Sequence, residues 1–233
     1  LFRKGQEMAI RVIGEADGTF DAGDYILYYG EKLDGQSDEE LYDSPAAHTN
    51  PYINLYSDTS AYFLTYSSVN PKRISTNIDE PSVSKSYLEK VSLHTFIENY
   101  ALGDEPVGEV FLSEYDTGEG WMQWPRVKTQ APVFGSPDVS KMQNINGYQP
   151  TLEIKLAGRN KYAHNVSVTI GDNSPISYNF TEFERYNTLT EVFNWNYDQL
   201  KDGTLSTYGL VVGNGSNQDV HYLIWVLIYY LYL

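Results

Sequence analysis

The chain has 233 residues, no cysteine, and 16 basic against 31 acidic side chains, a formal net charge of −15. The missing cysteine excludes a disulfide framework, a thiolate zinc site and a thiol nucleophile. The acidic balance argues against nucleic acid and against membrane surfaces, whose anionic groups need clustered Lys and Arg.

The length suits one large β domain or two small ones. The chain opens on Leu1, with no start methionine and no signal peptide, so it is expected to be a piece of a longer protein. Short apolar runs then alternate with Gly, Asn, Asp and Pro. Met8–Ile13 and Asp24–Gly30 read as strands. Tyr52–Tyr56 and Ala61–Tyr66 read as a hairpin around Ser57–Ser60. Asn70–Ser84, rich in Pro, Ser, Asn and charge, is the expected linker. Lys90–Tyr100 fits either helix or strand, and its Val, Thr and Ile favour a strand. Asp104–Gly120 and Gln130–Gly147 read as long surface loops.

From Thr151 the rhythm is clear. Thr151–Leu156 (TLEIKL) and Asn165–Ile170 (NVSVTI) alternate with the period of two of a half-buried strand. Ile176–Phe180 and Gly209–Val212 continue the series, with turns at Gly171–Pro175 and Gly213–Asp219. Leu189–Asp202 is the only helical or 3₁₀ candidate. Tyr222–Leu233 is apolar for 12 residues, too short for a spanning helix of about 20; it reads as a long buried strand, and no membrane insertion is expected. With no helices alternating between strands, the expected fold is all-β: a jelly-roll-like antiparallel β-sandwich over 81–233, with a smaller N-terminal β region over 1–80.

Candidate chemistry is sparse. Asp17, Asp21 and Asp24 lie in an acidic, glycine-rich stretch that raises the question of calcium. Their spacing of four and three, with Gly18 directly after the first acid, does not match a calcium loop. Turn chemistry explains the stretch more simply. His48, His94, His164 and His221 show no zinc-ligand spacing. Gly213–Asn217 lacks the nucleophile-elbow pattern, and Gly118–Gly120 places an acid where a phosphate loop needs glycine or a base. Asn165, Asn179 and Asn214 match the glycosylation pattern, which carries meaning only in a eukaryotic secretory pathway. Trp121 and Trp124, on a Gly-rich and loop-like segment, could form a sugar-stacking platform; aromatics that fill a sandwich core are the simpler reading.

The stretches DGTFDAGDYILYYGEK (Asp17–Lys32) and NPYINLYSDTSAYFLTY (Asn50–Tyr66) resemble the region before the catalytic domain of PorU-type sortases. These are gingipain-type cysteine peptidases of the type IX secretion system of Bacteroidota. The shared pattern is a strand with Asp-Tyr-Ile and Tyr-Gly, an acidic loop, then Asn-x-Tyr-Ser-Asp before Tyr-Phe-Leu-Thr. Leu1–Glu7 resembles the strand and turn just upstream. Glu98–Trp121 and the strands after Thr151 follow the same order more loosely. In that family a caspase-like domain with a Cys–His dyad follows this region. No cysteine exists here, so no catalytic residue carries over. The resemblance implies a non-catalytic β region of a secreted, surface or periplasmic protein of a Gram-negative bacterium. Its partners would be its own peptidase domain or secretion-system components. No cofactor is expected, calcium at Asp17, Asp21 and Asp24 being the minor alternative. The alternative function is a carbohydrate-binding module using Trp121 and Trp124; a free-standing hydrolase is third.

Overall fold

The computed structural model describes residues 1–66, 69–75, 88–103, 115, 117–127, 133–135, 139, 142–171, 175–199, 208–212 and 220–232. The fold is all-β, built from antiparallel sheets, with short 3₁₀ turns as the helical content of the described residues. It divides into two units: Leu1–Asp34 with Tyr56–Ser84, and Gly35–Leu55 with Lys85–Leu233. The segment Gly35–Leu55 thus belongs with the second unit, although it lies within the N-terminal 80 residues.

The first unit contains β1 (Phe2–Arg3), β2 (Gln6–Glu7), β3 (Ile10–Ile13) and β4 (Tyr25–Tyr28). β1 and β2 form a tight hairpin, because Lys4 and Gly5 both take the positive φ that a two-residue turn requires. β3 pairs with β4, Ile10 opposite Tyr28 and Ile13 opposite Tyr25. Only Leu1 and Ile10 are buried among the unit's described residues. A polar hub supplements so small a core. Arg3 donates to the Glu31 carboxylate, the Lys32 carbonyl (3.1 Å) and Ser60 Oγ (3.1 Å), and lies over the Tyr62 ring. The Tyr62 hydroxyl accepts from the Glu31 N–H (2.6 Å) and donates to the Glu31 carbonyl (3.0 Å).

The second unit contains β5 (Leu88–Thr95), β6 (Asn99–Leu102), β7 (Glu119–Met122), β8 (Arg126–Val127), β9 (Val133–Gly135), β10 (Thr151–Gly158), β11 (Ala163–His164), β12 (Val166–Ile170), β13 (Ile176–Asn179), β14 (Phe183–Glu184), β15 (Thr188–Asn194), β16 (Tyr208–Val212) and β17 (Val220–Tyr232). One sheet runs β15-β10-β17-β5, with β8 also on β17; a second runs β13-β12-β16-β9. Four of the pairings in these two sheets nest within one another. β5 pairs with β17, β9 with β16, β10 with β15, and β12 with β13.

Both sheets feed one core. β10 supplies Leu152, Ile154 and Leu156; β12 supplies Val166, Val168 and Ile170; β17 supplies Val226, Ile228 and Tyr230. Their spacing of two is the alternation read from TLEIKL and NVSVTI. A second cluster lies on the opposite face of the larger sheet: Ala101, Met122, Ala157, Ile224 and Leu227, with Tyr52 and Tyr229 against it. Ile224 has the parity of Val226 yet packs in this second cluster. The register of β10 on β17 shifts between Lys155 and Leu156, and this bulge turns Ile224 to the other face.

Several expectations are corrected. Tyr52–Tyr56 and Ala61–Tyr66 are not strands. The Tyr52 N–H bonds Asn50 Oδ1 (3.1 Å) and the Leu55 N–H bonds Asp38 Oδ2 (2.8 Å), so side chains replace a ladder partner. Phe63 makes a single antiparallel bridge, to Phe2. Of Leu189–Asp202, Leu189 to Asn194 lie in β15, whose Thr and Val suit a pleated surface, the expected 3₁₀ content is the one turn Tyr197–Gln199, and residues 200–202 lie outside the described residues. A longer 3₁₀ run, Gly35–Leu41, went unanticipated. The expected loop Gln130–Gly147 holds strand β9, and the end of Asp104–Gly120 enters β7 at Glu119; most of the expected linker and of Asp104–Gly120, and the Gly213–Asp219 turn with Asn214, lie outside the described residues.

Close backbone approach sets one testable point. A Cβ on Gly158 would run into the Arg185 carbonyl oxygen and the ring of the fully buried His164. Gly158→Ala is expected to destabilise the second unit by about 1–3 kcal/mol, the usual cost of overpacking, read as a lower denaturation midpoint by tryptophan fluorescence.

Candidate functional site

The outer face of the larger sheet carries a group of titratable side chains with shifted pKa values. Alternation along β10 turns Leu152, Ile154 and Leu156 inward and therefore turns Glu153 and Lys155 outward together. Across the strand pair, Glu153 sits opposite Leu227 and Thr151 opposite Tyr229. The Tyr229 hydroxyl donates to Glu153 Oε2 (3.3 Å), and further along the Tyr148 hydroxyl donates to Glu89 Oε1 (3.5 Å).

Gly35–Leu55 lies across this face as a strap. Its own closure comes from the Gly35 N–H to the Pro51 carbonyl (3.1 Å) and from Asp38, which takes the Asn54 amide (2.5 Å) and the Leu55 N–H. Gly35 is required, because a Cβ there would meet the Asn50 and Ile53 carbonyl oxygens. The strap is fastened to β10 by Lys155, whose Nζ donates to the His48 carbonyl (3.2 Å). It is fastened to β7 by Tyr42, whose hydroxyl donates to the Glu119 carbonyl (3.0 Å), by Thr49 to the same oxygen, and by Asn50 to the Trp121 carbonyl (3.4 Å).

Burial shapes the electrostatics. Desolvation lowers the Lys155 pKa, against the opposing pull of Glu153. Desolvation lowers that of His48 as well, helped by the Lys155 charge and resisted by Asp38 and Glu39. Desolvation raises the hydroxyl pKa values of Tyr52 and Tyr229, and the negative Glu153 adds to both. Of these groups Lys155 bonds the strap directly, and Tyr52 of the strap packs against the cluster beneath it, so the arrangement clamps one segment onto a sheet. Beside it lies a polar cleft of about 330 Å³ lined by Asn99–Gly103, Gly118, Gly158, Arg159 and Tyr186.

The residues singled out from sequence fall elsewhere. Asp17, Asp21 and Asp24 close turns in the first unit. Asp17 Oδ1 accepts from the Thr19 N–H (3.0 Å), which lowers the Asp17 pKa, and Asp24 Oδ2 accepts from the Asp21 N–H (3.0 Å). Gly14 and Gly18 take left-handed φ of 98° and 79° around the short 3₁₀ turn Glu15–Asp17. Among the described residues no group of three or more His, Asp or Glu converges as metal ligands would. Trp121 is on strand β7, not on a loop. Its indole N–H donates to the Leu55 carbonyl (3.3 Å) and its ring meets Tyr100 edge-on at 5.4 Å. Trp124 is open, 58 % exposed, with its N–H on Glu98. His164 bonds the Arg185 carbonyl (2.7 Å), and His94 stacks on Phe96.

Sequence reasoning missed Lys155, Glu153, Tyr52 and the strap. The signal for the first two was present, since TLEIKL sets two opposite charges on the face opposite its aliphatics. No local pattern marks Gly35–Leu55, whose bonds to β7 and β10 are long-range. Among known proteins, no family model matches the chain, and neither does any curated protein.

The His48 shift has a definite sign. The unfolded chain takes up the proton near the ordinary value of about 6.5, while the folded protein resists it. Stability is therefore full above that pH and falls as pH drops below it, until the folded form also protonates. The denaturation midpoint of the native chain is expected to drop more between pH 7.5 and 5 than that of His48→Gln. Lys155→Met should lower the midpoint at pH 7.5, by leaving the His48 carbonyl without its donor. It should also flatten the His48-dependent slope by removing a positive charge.

Proposed function

We propose that this chain is a non-catalytic accessory β region of a gingipain-type, PorU-like cysteine peptidase, secreted or held at the surface or in the periplasm of a Gram-negative bacterium. There it positions or docks the peptidase and its protein substrates. The resemblance across Asp17–Lys32 and Asn50–Tyr66 and the lack of cysteine support this reading. The observation that carries it is the open apolar surface of the first unit. Phe20, Tyr25, Tyr28, Tyr29, Phe63 and Tyr66 are all exposed, Tyr29 by 73 % and Tyr66 by 99 %. So many exposed rings and aliphatics in a unit with two buried described residues suit a surface that another protein covers.

The nested pairing of the second unit supports a jelly roll. Of the eight strands β5, β9, β10, β12, β13, β15, β16 and β17, β5 pairs with β17, β9 with β16, β10 with β15 and β12 with β13, as in one long hairpin rolled into two sheets. The same architecture, with the open Trp124 beside Glu98, favours a second reading as a carbohydrate-binding module. Trp121 gives that reading less, since its indole N–H and ring edge are used by Leu55 and Tyr100.

The peptidase reading expects the gene that encodes this chain to encode a Cys–His peptidase domain as well. It expects that domain, produced separately, to form a stable complex with this chain in analytical ultracentrifugation, and the chain alone to cleave no peptide substrate. A reading frame without such a domain, or turnover by the chain itself, overturns it. The sugar reading expects retention on a polysaccharide column that Trp124→Ala abolishes.

A further inference from the structure

We propose that the outer edge of β3, at Val12, is a strand-addition site that accepts an extended peptide segment of a partner protein, apolar at alternate positions and carrying a carboxylate for Arg11. The proposal rests on the docking reading above and gives that reading a place and a chemistry.

The argument starts from ladder geometry. In an antiparallel pair, alternate residues of a strand turn their N–H and C=O toward the partner and the rest turn theirs away. Ile10 turns away from β4. Its N–H donates to the Lys72 carbonyl (3.1 Å) and its carbonyl accepts from the Ile74 N–H (2.9 Å). These bonds make a single parallel bridge between Ile10 and Arg73, the beginning of a third strand. Val12, two residues on, turns its N–H and C=O to the same side. Among the described residues no backbone group meets them there. In their place is a cleft of about 390 Å³, lined by Ile10–Ala16, Arg73 and Ile74. Among the described residues the third strand is thus started at Ile10 and not continued at Val12.

The side chains say what fits. By the register of β3 on β4, Ile10, Val12, Ile26 and Tyr28 share one face, and Arg11, Ile13, Tyr25 and Leu27 the other. Apolar residues on both faces are the pattern of a strand meant to be covered on both sides. Yet Tyr25, Leu27 and Tyr28 are exposed. A two-stranded ribbon is marginal by itself, and further strands and a covered face are what stabilise one. At the cleft's rim Arg73 is paired with Glu15 (2.8 Å), whereas Arg11 is exposed and no carboxylate among the described residues pairs with it. An added strand would take its main-chain bonds from Val12, its apolar contacts from Ile13 and Ile74, and its charge preference from Arg11. This is recognition by strand addition, in which the backbone supplies affinity and alternate side chains supply specificity.

The test uses the whole chain and a fluorescein-labelled ten-residue peptide of alternating Thr and Val with one central Asp. Controls are the same peptide N-methylated at alternate amides, and one with Lys in place of Asp. Saturable binding by fluorescence anisotropy is expected for the Asp peptide. The N-methylated peptide should not bind, and the Lys peptide should bind more weakly. Val12→Pro, which removes the N–H, should weaken binding at least about tenfold. Because proline could unfold the hairpin, Arg11→Glu at an exposed position is the second variant, and it should invert the preference between the Asp and Lys peptides. Equal binding of the N-methylated peptide, an unchanged preference in Arg11→Glu, or no binding at all overturns the site. Peptide binding in a chain whose gene encodes no peptidase would keep the site and remove the peptidase reading. A peptidase complex together with failed peptide controls would do the reverse.

Discussion

The pairing of β10 with β17 is the constraint on which the second unit depends. These two strands lie side by side inside the larger sheet, flanked by β15 and β5. Because successive side chains point to opposite faces, the pair feeds two clusters at once. Leu152, Ile154, Leu156, Val226, Ile228 and Tyr230 close the core shared with the second sheet, while Ala157, Ile224 and Leu227 anchor the hairpin β6–β7 and the strap on the other side. A slip of one residue would exchange the two sets and place Glu153 and Lys155 in the aliphatic core. The bulge at Ile224 shows how closely the register is used, since one extra residue lets β17 serve both clusters.

The outer face shows how polar groups are accommodated next to such a sheet. Lys155 is buried enough to have its charge disfavoured, yet it reaches a carbonyl of the strap and keeps Glu153 close by in charge terms. His48, within the strap itself, has its charge disfavoured by burial, its ring against Tyr42 at 5.1 Å. Perturbed groups often gather at catalytic centres. Here they gather where a chain segment is clamped onto a strand, and their hydrogen bonds run to backbone carbonyls and carboxylates already present. The first unit is organised differently. Arg3 and Tyr62 tie its loops together by polar contacts, and its rings remain on the surface.

Much of the strand plan was legible in the sequence because alternation is a local signal. TLEIKL and NVSVTI gave strand, face and core side directly, and the aromatic, β-branched ending gave β17 through Tyr232. The segments misread from Tyr52 to Tyr66 have strand composition, but the Tyr52 and Leu55 N–H groups bond the Asn50 and Asp38 side chains, which composition does not reveal. The position of Trp121 was missed for a related reason. Gly118 and Gly120 just before it suggested a loop, whereas Gly120, at a φ of 138°, lies within a strand close to Thr49 and Tyr42. The candidate site was half legible, since Glu153 and Lys155 share a face by parity alone. That the strap covers them is a long-range fact.

The most direct measurement is hydrogen exchange of the backbone amides in the isolated chain at neutral pH. Slowest exchange in Thr151–Gly158 and Val220–Tyr232, with Ile10–Ile13 and Tyr25–Tyr28 exchanging orders of magnitude faster, is the result this account predicts. Equal protection of the Ile10–Tyr28 ribbon and the β10–β17 pair would contradict it, because the first unit would then be complete without a partner.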